Sequence, residues 1–136
     1  MFLVSACLAG FRCRYDGKIV PDESVVDLVR SGKAIPVCPE QMRGLPCPRT
    51  ACERTASGRV IDRDGFDRTE AFENGAREVL RLARIYGCTH AILKARSPSC
   101  GKGTIYDGSF SGTLIKGNGV TAELLEQNGI AVEVKE

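Results

Sequence analysis

A chain of 136 residues with 43% hydrophobic content fills one core and is too short for two ordinary ones, so residues 1–136 are expected to form a single domain. Its 19 basic and 17 acidic side chains leave a net charge of +2, a balance that gives no electrostatic case for nucleic acid or for an anionic membrane surface. The seven cysteines are an odd number; they cannot all pair within one chain, and in a reducing compartment clustered thiols mean metal or catalysis more often than disulfides.

Phe2-Leu3-Val4-Ser5-Ala6 is a short apolar run of the kind found in buried parallel strands. This start lacks a basic flank and runs directly into Arg12 and Arg14, so a cytoplasmic protein is expected and a signal peptide is not. After Gly10 and the Asp16-Gly17 turn, Ser24 stands where it would cap a short helix carrying Val25, Val26, Leu28 and Val29 and stopped by Gly32. Ala34-Ile35-Pro36-Val37 is a second strand, and its proline weakens the assignment or places it on an edge.

Residues 38–64 hold Pro39, Pro46, Pro48, Gly44 and Gly58 with little periodicity. They read as a long ordered loop with a small β excursion at Arg59 to Asp62, and a loop of that length in a compact domain is usually functional. Asp67 and Glu70 form a capping pair for the longest helix, along which Phe72, Ala76, Val79, Leu80, Ala83 and Tyr86 recur at helical spacing. Arg77, Arg81 and Arg84 stripe its solvated face. Ala91 to Lys94 is the third strand, followed by a glycine-rich stretch from Arg96 to Gly119, a helix from Val120 to Gln127 ended by Asn128-Gly129, and a fourth strand from Ile130 to Val134. Strands alternating with helices predict an α/β fold: a three-layer sandwich with a small, mostly parallel four-stranded sheet of Rossmann-like or flavodoxin-like topology. There is no internal repeat, low-complexity segment or transmembrane run.

Cys7, Cys38 and Cys100 each lie just past one of these strands. Loops leaving the carboxyl ends of such strands converge on the binding crevice, so three soft ligands are expected at one sheet edge, where they can hold a soft metal centre with one coordination position left open. In Ser97-Pro98-Ser99-Cys100-Gly101 the hydroxyls stand beside a thiol, Pro98 stiffens the turn and Gly101 permits close backbone approach. Cys38-Pro39-Glu40 sets a carboxylate two residues after another thiol. The alternative is a closed zinc site from Cys13, Cys38, Cys47 and Cys52, which would make the chain a structural zinc-binding or thiol redox-sensing module; no Cys-x-x-Cys knuckle supports it. Cys88 reads as an inert core thiol. His90, the only histidine, reads as structural, and Cys100 has no histidine partner in motif form for nucleophilic catalysis. Cys100-Gly101-Lys102-Gly103-Thr104 fails as a phosphate loop, because glycine follows the lysine where Ser or Thr is required.

Three groups of residues together carry a family resemblance. They are Ser5-Ala6-Cys7-Leu8 with Cys13-Arg14-Tyr15-Asp16-Gly17; Cys38-Pro39-Glu40 with Gly44-Leu45-Pro46 and Pro48-Arg49; and Ser97-Pro98-Ser99-Cys100-Gly101 with Ile105-Tyr106-Asp107-Gly108. Over nearly its whole length the chain resembles the thiouracil desulfidase family. The resemblance implies a [4Fe–4S] cluster held by Cys7, Cys38 and Cys100, with Glu40 and Ser97 as catalytic residues. It further implies non-redox replacement of the thiocarbonyl sulfur of a thiolated base, such as 2-thiouracil, by oxygen. The expected partner is that small molecule, with neither nucleic acid nor membrane. Cys13 lies near enough to line the pocket without ligating. The chain departs from the family pattern at Cys47, Thr50, Ala51 and Cys52, where a stiffer loop, thiols that react with oxidants or an altered substrate rim is expected.

Overall fold

Each strand of the central sheet sends alternate side chains to opposite faces, and both faces are apolar, as a sheet covered by helices on both sides requires. The computed structural model describes residues Met1–Glu136. Its elements are β1 (Phe2–Ser5), a 3-10 turn (Ala6–Ala9), α1 (Glu23–Arg30), β2 (Ala34–Val37), α2 (Pro39–Met42), β3 (Cys52–Arg54), β4 (Val60–Asp62), α3 (Thr69–Tyr86), β5 (His90–Lys94), β6 (Thr104–Tyr106), β7 (Leu114–Lys116), α4 (Val120–Gln127) and β8 (Ala131–Lys135). The main sheet has the order β2-β1-β5-β8, and every pairing in it is parallel. Counting only these four strands in chain order gives 2-1-3-4, the start of the flavodoxin-like order, as expected from the βα alternation. Pro36 sits opposite Val4 on the edge strand β2, where its missing N–H costs nothing on the open side.

Leu3, Ala91 and Leu93 face α3 and α4 in a core with Val79, Leu80, Ala83 and Leu125. Val4 and Ile92 face the other way, packing with Val25, Leu28 and Val29 of α1. No helix is long and apolar enough to cross a membrane.

Several boundaries differ from expectation for local reasons. The first strand ends at Ser5, because Ala6 already belongs to the 3-10 turn that carries Cys7. Helix α1 is capped by Asp22 rather than Ser24: its carboxylate accepts from the N–H groups of Ser24 and Val25, satisfying two of the orphan donors that a serine in the first turn cannot reach. Asp67 does accept from the Thr69 N–H at 2.8 Å, but its second oxygen is taken by Arg59. The fourth strand is shifted by one residue, to Ala131–Lys135.

The expected loop after Cys38 contains α2 and the β3–β4 hairpin, and the glycine-rich stretch after Arg96 contains the β6–β7 hairpin. The small β excursion at Arg59 to Asp62 is thus one arm of a pair. Helix α2 lies against α3 so closely that a Cβ at Gly75 would stand 2.3 Å from the Pro39 carbonyl oxygen. Gly75→Ala is therefore expected to lower stability by about 1–3 kcal/mol through overpacking, read as a lower denaturant midpoint at unchanged slope. An unchanged midpoint would show that α2 yields without cost.

Candidate active site at the carboxyl edge of the sheet

The strand order reverses direction between β1 and β5, so the loops leaving them part and open a crevice. A cavity of about 390 Å³ occupies it, lined by Cys7, Cys13, Cys38, Glu40, Ser97 and Cys100 among others. Cys7 enters on the 3-10 turn after β1 and Cys38 as the residue between β2 and α2. Cys100 enters on the turn after β5, which α4 clamps from behind: a Cβ at Gly119 would lie 2.4 Å from the carbonyl carbon of Ser99. Val120 and Thr121 donate N–H to the Pro98 and Ser99 carbonyls at 2.9 and 2.8 Å.

The thiols differ in character. A hydrogen bond from Cys13 holds Cys7 below its ordinary pKa against the opposing effects of burial and of Cys38. Cys38, beside the same Cys13 thiol and helped by the Gln41 N–H and the Arg49 charge, is brought down to about 7. Cys13 consequently keeps its proton, with its own pKa raised by the two partners it serves. Burial pushes Cys100 up to about 12. Thiols are soft donors for a metal–sulfur centre, and coordination itself removes their protons.

Glu40, in the first turn of α2, is fixed by an ion pair with Arg49. The Arg49 guanidinium also donates to the carbonyls of Cys13 at 2.9 Å and Pro46 at 3.0 Å, and its side chain is only 7% exposed. One arginine thus ties the carboxylate to the loop that carries Cys13. Ser97 Oγ accepts from the N–H groups of Ser99 at 3.0 Å and Cys100 at 2.9 Å. With both lone pairs engaged, its O–H is left as the donor for whatever enters the cavity.

The other thiols stand apart. Cys47 donates to the Arg14 carbonyl at 3.1 Å, tying the proline-rich loop to the first-strand loop, while Cys52 packs beside the Val60–Phe72–Ala76–Val120 cluster, and burial pushes it up to about 12. Neither lines the cavity, although Ala51 between them does. Cys88 is a core residue. All seven cysteines are free. Cys13 and Cys38 line the cavity while Cys47 and Cys52 do not, and no three His, Cys, Asp or Glu side chains converge tightly enough for a single ion, so the four thiols of the zinc alternative are not gathered in one place. A cuboidal cluster makes no such demand, since its three thiolates bind three different irons. His90 is exposed, tilted against Phe2 with ring centroids 5.9 Å apart, and remote in role from the cavity.

The family model described as 2-thiouracil desulfurase matches residues 2–136. The chain belongs to the 2-thiouracil desulfurase family. Bacillus subtilis (strain 168) YbbK is 40% identical over 141 residues, covering 97% of this chain and 93% of its own. A solved structure described as the [4Fe-4S]-dependent thiouracil desulfidase TudS is 40% identical, superposes with a TM-score of 0.92, and covers 98% of this chain and 89% of that one.

Membership in the desulfurase family gives the cavity a chemical context that also draws in residues the sequence alone left without a role. Arg49 stands beside Pro48, nine positions after a carboxylate, and that proximity is its only signal among the five arginines of residues 38–64. Glu53, Arg63, Tyr106 and Phe110 also line the cavity. They arrive on or beside the two hairpins, whose strands of three residues are too short to leave a periodic trace.

Proposed function

We propose that the chain is a [4Fe–4S]-dependent desulfidase that replaces the thiocarbonyl sulfur of 2-thiouracil or a like base by oxygen, working in a reducing cytoplasm. Cys7, Cys38 and Cys100 hold the cluster, and Glu40 and Ser97 do the proton chemistry. The observation that carries this reading is one cavity shared by three strand-end thiols, a fixed carboxylate and a serine hydroxyl poised to donate. When bound through three thiolates, such a cluster supplies an open iron, a Lewis acid for the thiocarbonyl sulfur.

The residues of the chain supply the rest. The reaction adds water across the ring carbon and expels the sulfur as sulfide, with no net electron transfer. Glu40, its direction set by Arg49, takes the proton of the attacking water. Ser97 donates its O–H to the base, holding the ring so that water reaches the carbon from the Glu40 side, and that same donor stabilises charge as the carbon becomes tetrahedral. As the C–S bond breaks and the C=O bond forms, the hydroxyl of the tetrahedral carbon gives up its proton to the leaving sulfur, and the proton held by Glu40 follows it, so that the sulfur departs as hydrogen sulfide.

Anaerobic reconstitution with iron and sulfide tests the proposal. The expected product absorbs broadly near ~400 nm, carries iron and acid-labile sulfide in equal amounts, and converts 2-thiouracil to uracil with one sulfide released per turnover. A chain that binds one zinc tightly and no iron, or a reconstituted cluster without conversion of 2-thiouracil, would reject it.

A further inference from the structure

Glu53 on β3, Arg63 just after β4, and Phe110 in the β6–β7 loop line the same cavity and meet one another there. Phe110 has a φ of +57°, a conformation that a bulky side chain holds only when its surroundings impose it, and such outliers gather where ligands are clamped. The imposing group is Glu53, whose Oε1 accepts from the N–H of Gly108 at 2.9 Å and of Phe110 at 3.1 Å. The Arg63 guanidinium lies over the phenyl ring, 5.3 Å from its centroid. Its backbone N–H donates to the Ala51 carbonyl at 3.0 Å, fixing it beside another cavity residue. Arg14 and Arg49 in the same wall are each paired with a carboxylate. Arg63 takes part in none of the molecule's ion pairs.

We propose that Phe110 and Arg63 form a stacking platform that selects flat heterocyclic thioamides over open-chain ones, with Glu53 as the residue that positions it. The inference rests on the desulfidase reading and adds the ring as the determinant of choice. A phenyl face and a guanidinium plane both stack on a heterocycle, whatever its substituents. The spare N–H groups of Arg63 suit an exocyclic carbonyl or an ionised ring imide, an acceptor that a cyclic thioamide such as thiouracil carries and thiourea lacks. Thiourea offers the same thiocarbonyl but no ring face, so this wall gives it nothing.

The test titrates uracil, the unreactive product, into the iron–sulfur-loaded protein by calorimetry. Phe110→Gly removes the ring at a φ that glycine accepts freely, so the loop keeps its path; it is expected to weaken uracil binding about tenfold or more. Phe110→Tyr keeps the affinity within about threefold. Glu53→Ala weakens binding and Glu53→Gln restores it, since the amide oxygen still accepts from both N–H groups. The ratio of kcat/KM for 2-thiouracil over thiourea falls about tenfold or more in Phe110→Gly. Uracil affinity equal to that of the parent in Phe110→Gly, at equal iron content, overturns the platform, as does a parent protein that binds no uracil in the millimolar range. Glu53→Ala with parental affinity overturns the positioning role. Uracil binding that depends on Phe110, in a protein that releases no sulfide from 2-thiouracil, would leave the platform standing and sink the desulfidase reading.

Discussion

Serine in place of Cys7, Cys38 or Cys100, one at a time, is expected to bring the protein from roughly four irons per chain to little or none, and to abolish desulfuration with it. The reason lies in ligand softness: an alkoxide or hydroxyl oxygen is a poor substitute for a thiolate on iron–sulfur clusters. Each of these thiols reaches the cavity on a different loop, after β1, after β2 and after β5, and Cys47 and Cys52, which follow Cys38 in the chain, lie outside the cavity and do not replace it. Cys47→Ser and Cys52→Ser should keep the parental iron and sulfide content, because both side chains lie outside the cavity. Cys88→Ala should also keep it; that thiol only fills the core under α3. Iron and acid-labile sulfide measured per chain, under anaerobic conditions, distinguish the two sets. Loss confined to Cys47 and Cys52, with Cys7 and Cys100 dispensable, would move the metal into the proline-rich loop and end the present assignment.

The second large effect falls on turnover at constant cluster content. Glu40→Ala should depress kcat by about 10²–10⁴-fold, the usual contribution of a positioned general base, while iron per chain stays at the parental value. Removing the carboxylate also strands the largely buried Arg49 guanidinium, and an unpaired buried charge costs about 3–5 kcal/mol. Glu40→Gln separates the two consequences: its amide oxygen still accepts from Arg49, but it cannot take a proton from water. Glu40→Gln is therefore expected to unfold between Glu40→Ala and the parent, because the hydrogen bond to Arg49 survives while the countercharge is lost, and to be as slow as Glu40→Ala. A glutamine variant with full desulfuration activity would remove Glu40 from the chemistry and leave it only as the partner of Arg49.

The sequence by itself determined the sandwich. Apolar runs of four or five residues alternating with amphipathic stretches can be buried only as parallel strands between helices, and helix α4 has the expected limits, Val120–Gln127. Because βα loops converge at one sheet edge, the sequence also nominated the residues to look for there, and Cys7, Cys38, Cys100, Glu40 and Ser97 do share one cavity. Asp22 escaped notice as a cap because Ser24 offered an equally good local signal, and only the path of the chain shows which oxygen meets the free N–H groups.

Tertiary structure alone decided the rest of the wall. Strands of three residues, such as Cys52–Arg54 and Thr104–Tyr106, are too short to show a period. They exist through pairings such as Arg54 with Val60 and Tyr106 with Leu114, and through contacts between hairpins such as Glu53 with the Phe110 N–H, 57 positions apart. The same holds for Arg49, whose role is set by reaching Glu40 and the Cys13 carbonyl together. Local preference marks where a thiol or a carboxylate leaves a strand. Which side chains then face it across a cavity depends on how the hairpins and loops close over the sheet edge, and a short window of sequence carries no sign of which of its residues will meet.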